Sequence, residues 1–231
     1  SLSLAQLNKI QADPLNYLWA APKNNAADHA YLVFAIGRAA NTDLTSAIQT
    51  LPKALQGVPV DVQKYLNRAV GYIGGTTVMK NNFNREVLNL FDASYGVPFT
   101  PEEAEIYARQ AVRFGSWESV IRAIDSMSVS QQQEDRWQYW LARASEKRND
   151  SQSKQTAKQI YQRLAAAGDE YHNLLAKDHL GIRYNEAQDR SQPSANDIQR
   201  LNQDIHFRRA FALKNINASD TYTNREWNWA V

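Results

Sequence analysis

Apolar residues recur along this chain at i, i+3, i+4 and i+7, the spacing that lines one face of an α-helix. The set appears as Ala30, Val33, Phe34 and Gly37, as Leu44, Ala47, Ile48 and Leu51, and as Val62, Tyr65, Leu66 and Ala69. It returns as Ala104, Tyr107, Ala108 and Ala111, then as Trp117, Val120, Ile121 and Ile124. Two more copies are Trp137, Trp140, Leu141 and Ala144, and Ala157, Ile160, Tyr161 and Leu164. Strict alternation, the mark of a half-buried strand, is almost absent. Taking the first helix of each pair, the starts at 30, 62, 104 and 137 are separated by 32, 42 and 33 residues. Such periods suit helix-pair repeats, which build a continuous core by stacking on their neighbours. The pattern predicts an all-α chain, a superhelix (α-solenoid) of short antiparallel helix pairs, TPR-like in plan.

Start and stop signals divide the chain in the same way. Thr100-Pro101-Glu102-Glu103 combines an N-cap, a proline at the first helical position and the third-position Glu of a capping box. Gly115 ends that helix and Ser116 can cap the next; Gly168-Asp169 makes a similar break. Gly181 closes the helix that carries Tyr171, Leu174 and Leu175. The GYIGG stretch at Gly71–Gly75 reads as a sharp turn between helices; no Walker Lys and Ser/Thr follow it in register. Residues 182–194 read as a loose connection, with helices resuming after Ser194. Ser219 or Asp220 can cap a last helix through Arg225, Trp227 and Trp229, and Ala230-Val231 carries no stop signal. The expectation is that the chain stops inside a helix and that the natural protein continues.

Composition agrees with helices and narrows the chemistry. Apolar residues make up 43 % and charged ones 22 %, which excludes wholesale disorder. Only nine glycines and seven prolines interrupt a chain rich in straight-chain residues. A net charge of +2 gives no reason to expect nucleic acid. Without cysteine there is no disulfide framework, thiolate ligand or thiol nucleophile. No apolar run is long enough to span a membrane. The opening SLSLAQLNKI lacks the basic start and apolar core of a signal peptide.

Few residues invite a catalytic assignment. His172 and His179 lie seven apart on one helical face without a ligand at the i+4 spacing that metal pairs prefer, so they read as solvated or hydrogen-bonded. Glu102, Glu103 and Glu105 sit in a helix's first turn, where they complement the macrodipole. No GxSxG, HExxH or Walker sequence occurs. No catalytic residue, cofactor or metal is expected. Within Arg136–Ala144, RWQYWLARA, Trp137 and Trp140 fall on the packed face, whereas Tyr139 points elsewhere and is the better candidate for ligand contact. His206-Phe207-Arg208-Arg209 is basic but diluted by Asp204 and Asp197; Arg208 and Arg209 are the candidates there for an anionic ligand.

The stretch from about Ala108 to Tyr184 resembles the soluble lytic transglycosylases of Gram-negative bacteria. The residues that carry the resemblance are FGSWESVIRAIDSM, RWQYWLARA and IYQRLAAAGDEYHNLLAKDHLG, with RRAFAL at Arg208–Leu213 and NREWNWAV at Asn224–Val231 further on. YHNLLAKDHLG departs from the family's usual YxG-type start. The resemblance implies a periplasmic protein acting on peptidoglycan, whose export signal lies outside these residues. It implies residues 1–190 as the C-terminal portion of a U-shaped superhelical domain and 191–231 as the start of a helical linker. In such enzymes a lysozyme-like domain follows and cleaves the β-1,4 bond between N-acetylmuramic acid and N-acetylglucosamine, leaving 1,6-anhydromuramoyl ends. Its catalytic glutamate precedes a serine and a GLMQ-like motif follows. The only Glu-Ser here, Glu118-Ser119, lies inside an amphipathic helix pattern without GLMQ after it. The expected function is therefore a non-catalytic scaffold segment that meets glycan strands, and possible cell-wall partner proteins, as part of a longer enzyme. A free-standing helical-repeat adaptor for protein partners is the alternative.

Overall fold

The computed structural model describes residues 2–81, 85–183 and 194–216, the side chains of 77–81 excepted. Every element among them is an α-helix. The series opens with α1 (Leu4–Ala12), α2 (Pro14–Ala20), α3 (Ala26–Thr42), α4 (Leu44–Leu55) and α5 (Val60–Asn81). It continues through α6 (Arg85–Ala93), α7 (Pro101–Arg113), α8 (Trp117–Asp125), α9 (Val129–Gln132) and α10 (Asp135–Glu146). The remainder are α11 (Ser151–Ala167), α12 (Tyr171–His179), α13 (Ala195–Gln203) and α14 (Ile205–Asn215). None of the described helices is long and apolar enough to cross a membrane. By contacts the chain divides into Ser1–Ile182 and Arg183–Val231.

The helix ends follow from local chemistry. Thr100 and Glu103 form the expected capping box: the Glu103 N–H donates to Thr100 Oγ1 at 3.3 Å, and the Thr100 N–H to Glu103 Oε2 at 2.7 Å. Gly115 and Gly181 take positive φ, 62° and 70°, as the left-handed residue after a helix. In both cases the next residue's N–H reaches back to the helix, Ser116 to Ala111 O and Ile182 to Lys177 O, which satisfies last-turn carbonyls. Single aspartates join some neighbours. Asp43 donates its N–H to Ala39 O, ending α3, while its carboxylate accepts from the Ser46 N–H and hydroxyl and so starts α4.

In the first unit, substantial packing joins helices that are adjacent or next but one in chain order: α1 with α3, α3 with α5, α5 with α7, α8 with α10, α10 with α12. That is the stacking order of a solenoid. The core is correspondingly laid down in successive clusters, one around Ile10, Leu32, Ile36 and Leu66, a second around Phe91, Tyr107, Val120 and Trp137, a third around Tyr139, Tyr161 and Leu164. Polar bonds repeat the same step. Tyr95 Oη donates to Asp125 at 2.6 Å, 30 residues on; Arg148 pairs with Glu118 at 2.6 Å, also 30 apart; Arg136 pairs with Glu105 at 2.9 Å, 31 apart.

Two sequence expectations need correction. GYIGG is not a turn: it lies within α5, where Gly74 and Gly75 are buried. A Cβ on Gly74 would stand 2.8 Å from Val87 Cγ2, and one on Gly75 would run into Ile106 Cγ2. Glycine here lets α5 approach α6 and α7 closely, a demand that in sequence looks the same as a turn. In α3 the buried stripe is Leu32, Ala35, Ile36, Ala39 and Ala40, not the Ala30 set, whose Val33 is exposed. Both stripes have helical spacing, and only the neighbouring helices decide between them.

The second unit holds α13, capped by Ser194 and Asp197 in a capping box, and α14, capped by Asp204. Phe207 and Phe211 sit 5.0 Å apart along α14, beside buried Ala210. Of the loose connection expected at 182–194, residues 184–193 lie outside the described residues, as does the expected last helix with Trp227 and Trp229.

Candidate functional site

The first unit carries a cleft of about 350 Å³ between α7, α10 and α12. α7 contributes Arg109 and Arg113, one helical turn apart, with Val112 between them. α10 contributes Arg136, Trp137 and Trp140, and α12 contributes His172. Trp137 is 3 % exposed, and its indole Nε1 is buried without a hydrogen-bond partner. Trp140 is half-buried and packs on both the second and the third core clusters, so its ring closes the seam between them.

Charge is organised around one carboxylate. Glu105 Oε1 holds the Arg136 guanidinium at 2.9 Å and also pairs with Arg109. Arg136 Nε donates to Glu134 Oε2 at 2.6 Å, and its guanidinium lies 4.9 Å from the Trp137 ring centroid. Burial, reinforced by the Arg136 charge and opposed by Asp135, holds the His172 pKa below its ordinary value. At neutral pH this imidazole is uncharged and can donate or accept a hydrogen bond. The lining side chains include three guanidiniums and no carboxylate.

Tyr139, expected to face away from the packed surface, is instead only 5 % exposed. Its ring packs edge-on against Trp140 and Tyr161, and its hydroxyl accepts from Arg143 Nη1 at 3.2 Å. α10 is enclosed by α8 on one side and by α11 and α12 on others, so it buries more than one face. Arg208 and Arg209 are exposed on α14, in the second unit.

The other residues weighed from sequence have structural partners. His179 Nε2 lies 3.1 Å from Glu146 Oε1, and its ring is 4.0 Å from that of Tyr161. Glu103, besides capping α7, pairs with Arg68 Nε at 3.4 Å. Among the described residues no group of three His, Asp or Glu could hold a metal ion.

No family model and no curated protein matches this sequence. Solved structures do match its fold. Lytic transglycosylase Slt from Pseudomonas aeruginosa, in an inactive mutant, aligns with a TM-score of 0.53 at 20 % identity, covering 97 % of this chain and 36 % of its own. The 70-kDa soluble lytic transglycosylase in complex with bulgecin A aligns at 18 % identity and a TM-score of 0.48, covering 96 % of this chain and 34 % of its own. The chain shares its fold with part of the P. aeruginosa structure. It spans little more than a third of the length of the P. aeruginosa protein.

The runs between Phe114 and Gly181 that carried the sequence resemblance occupy consecutive parts of the first unit, and Asn224–Val231 lies outside the described residues. FGSWESVIRAIDSM forms the turn at Gly115 and helix α8; RWQYWLARA is most of α10 and supplies Arg136, Trp137 and Trp140 to the cleft. The Glu-Ser pair within α8 is structural. Glu118 takes a two-point contact from Arg148, at 2.6 and 3.3 Å, and buried Ser119 donates to Asp92 at 3.0 Å. Asp92 also accepts from the fully buried Tyr107 hydroxyl at 2.5 Å; burial and that carboxylate push the Tyr107 pKa up.

Proposed function

We propose that this chain is a non-catalytic scaffold segment of a periplasmic, peptidoglycan-directed protein of the lytic transglycosylase kind. The parent enzyme cleaves the bond between N-acetylmuramic acid and N-acetylglucosamine to form 1,6-anhydro ends, and this segment holds and positions glycan strands for it. Residues 1–190 serve as the C-terminal portion of its superhelical domain, and 191–231 begin the linker toward the catalytic part. The observation that carries this reading is the fold likeness over 97 % of the chain. The RWQYWLARA run, read independently from sequence, supports it. Stacked helix repeats present extended surfaces suited to long ligands.

Co-sedimentation with purified peptidoglycan sacculi, followed by muropeptide analysis of the supernatant, tests it. The expected result is retention of the protein on the sacculi without release of anhydromuropeptides. Protein that stays wholly in the supernatant overturns the glycan role, and released anhydromuropeptides overturn the non-catalytic assignment.

A further inference from the structure

We infer that the α7–α10–α12 cleft binds a saccharide that carries a carboxylate, with the sugar ring against Trp140 and the carboxylate on the guanidiniums of Arg109 and Arg136. This deepens the scaffold reading and rests on it for the saccharide class. The volume of about 350 Å³ lies in the range of small-ligand sites. Its walls combine what such a ligand needs: a flat apolar face and cationic forks.

The forks are also pre-set. A free arginine loses side-chain freedom on binding, whereas Arg109 and Arg136 are already held by Glu105. That hold uses only some of their donors. Among the described residues Arg136 uses Nε on Glu134 and Nη1 on Glu105, and Arg109 uses Nη2 on Glu105. A guanidinium has five N–H donors, so each can take a carboxylate oxygen while keeping Glu105. Arg109 has a side chain 48 % exposed, so a carboxylate reaches it without rearrangement of the core.

Calorimetric titration of the whole protein with N-acetylmuramic acid and with N-acetylglucosamine tests this. The two sugars share a ring and differ by the carboxylate-bearing lactyl group. The acid should bind about tenfold more tightly, the scale of one charge-assisted hydrogen bond. Arg109→Ala should abolish most of that preference. Trp140→Leu should weaken both sugars alike, and circular dichroism reports whether either variant still folds. Equal binding of the two sugars, or binding of neither, overturns the inference. So does benzoate, a carboxylate on a flat aromatic ring, if it binds as well as the sugar acid.

The two proposals fail separately. Sacculus binding unchanged in Arg109→Ala, with no sugar discrimination in the parent protein, removes the cleft inference alone. Discrimination between the sugars that depends on Arg109, in a protein that ignores sacculi, keeps the cleft and removes the scaffold reading.

Discussion

Gly74 and Gly75 leave out two methyl groups, and the approach of α5 to α6 and α7 depends on that omission. Gly75→Ala sets a Cβ against Ile106, and Gly74→Ala sets one 2.8 Å from Val87 Cγ2, both in the closed core. Either change is expected to destabilise the protein by about 1–3 kcal/mol, the usual cost of overpacking. Gly37, in the interior of α3, has nothing within 4 Å of the same position. Gly37→Ala should therefore stabilise by about 0.5–1 kcal/mol, through helix propensity alone. Urea unfolding of these variants checks the contrast, and a Gly75 variant as stable as the parent would refute the close-approach account. His172 supplies a prediction in pH. Its folded pKa is held down by burial and by Arg136, below the ordinary histidine value of about 6.5. Between those two values the unfolded chain takes up a proton that the folded chain refuses, so stability falls as pH drops through about 6.5 and levels off below the folded pKa. Thermal unfolding at pH 7.5 and pH 5 should show a larger acid loss for the parent than for His172→Gln; parallel profiles would disprove the contribution.

At the level of the helix, the most legible element was α7. Its cap, its proline, its Ala104–Ala111 face and its glycine stop are all local signals, and all are found in the structure. Thr100→Ala removes the Oγ1 that accepts the Glu103 N–H and is expected to cost about 1 kcal/mol, measured by denaturant midpoint. If the midpoint does not move, the capping box is not contributing. α10 shows where local signals run out. Its Trp137, Trp140, Leu141 and Ala144 face was read correctly as packed, yet Tyr139 and Ala142 are buried too, because α11 and α12 cover another side. A one-face pattern cannot report how many neighbours a helix has. The cleft was less legible still. Arg109, Arg136 and His172 come from three helices, and nothing within any one helix links them. The usable signal was the repeat period itself. Glu105 with Arg136 and Glu118 with Arg148 are opposite charges 31 and 30 residues apart, so charge matching at one repeat's distance points to the seam where the cleft lies.

Across the whole first unit, packing runs only a helix or two ahead along the chain, and this has a consequence for unfolding. In a compact domain each core residue is braced by distant segments, and a large cavity lowers the stability of everything at once. In a stack, each step is braced by its neighbours, and stability is close to a sum of repeat and interface contributions. Leu164 and Leu32 are both fully buried, the first in the cluster of α10–α12, the second in the cluster built on α1–α5. Leu164→Ala should cost about 2–5 kcal/mol by loss of burial and creation of a cavity. Native-state hydrogen exchange then separates the two cases. The stacked arrangement predicts that protection falls in α11 and α12, less in α10, and hardly at all in α3 and α4. Leu32→Ala should give the opposite gradient. A uniform fall in protection along the unit in either variant would show that the clusters unfold as one, and that bridging contacts such as the Trp140 seam couple them more strongly than stacking alone requires. A graded fall would leave the cleft at a junction between separately stable segments, where a ligand bound across α7, α10 and α12 would raise protection on both sides of it.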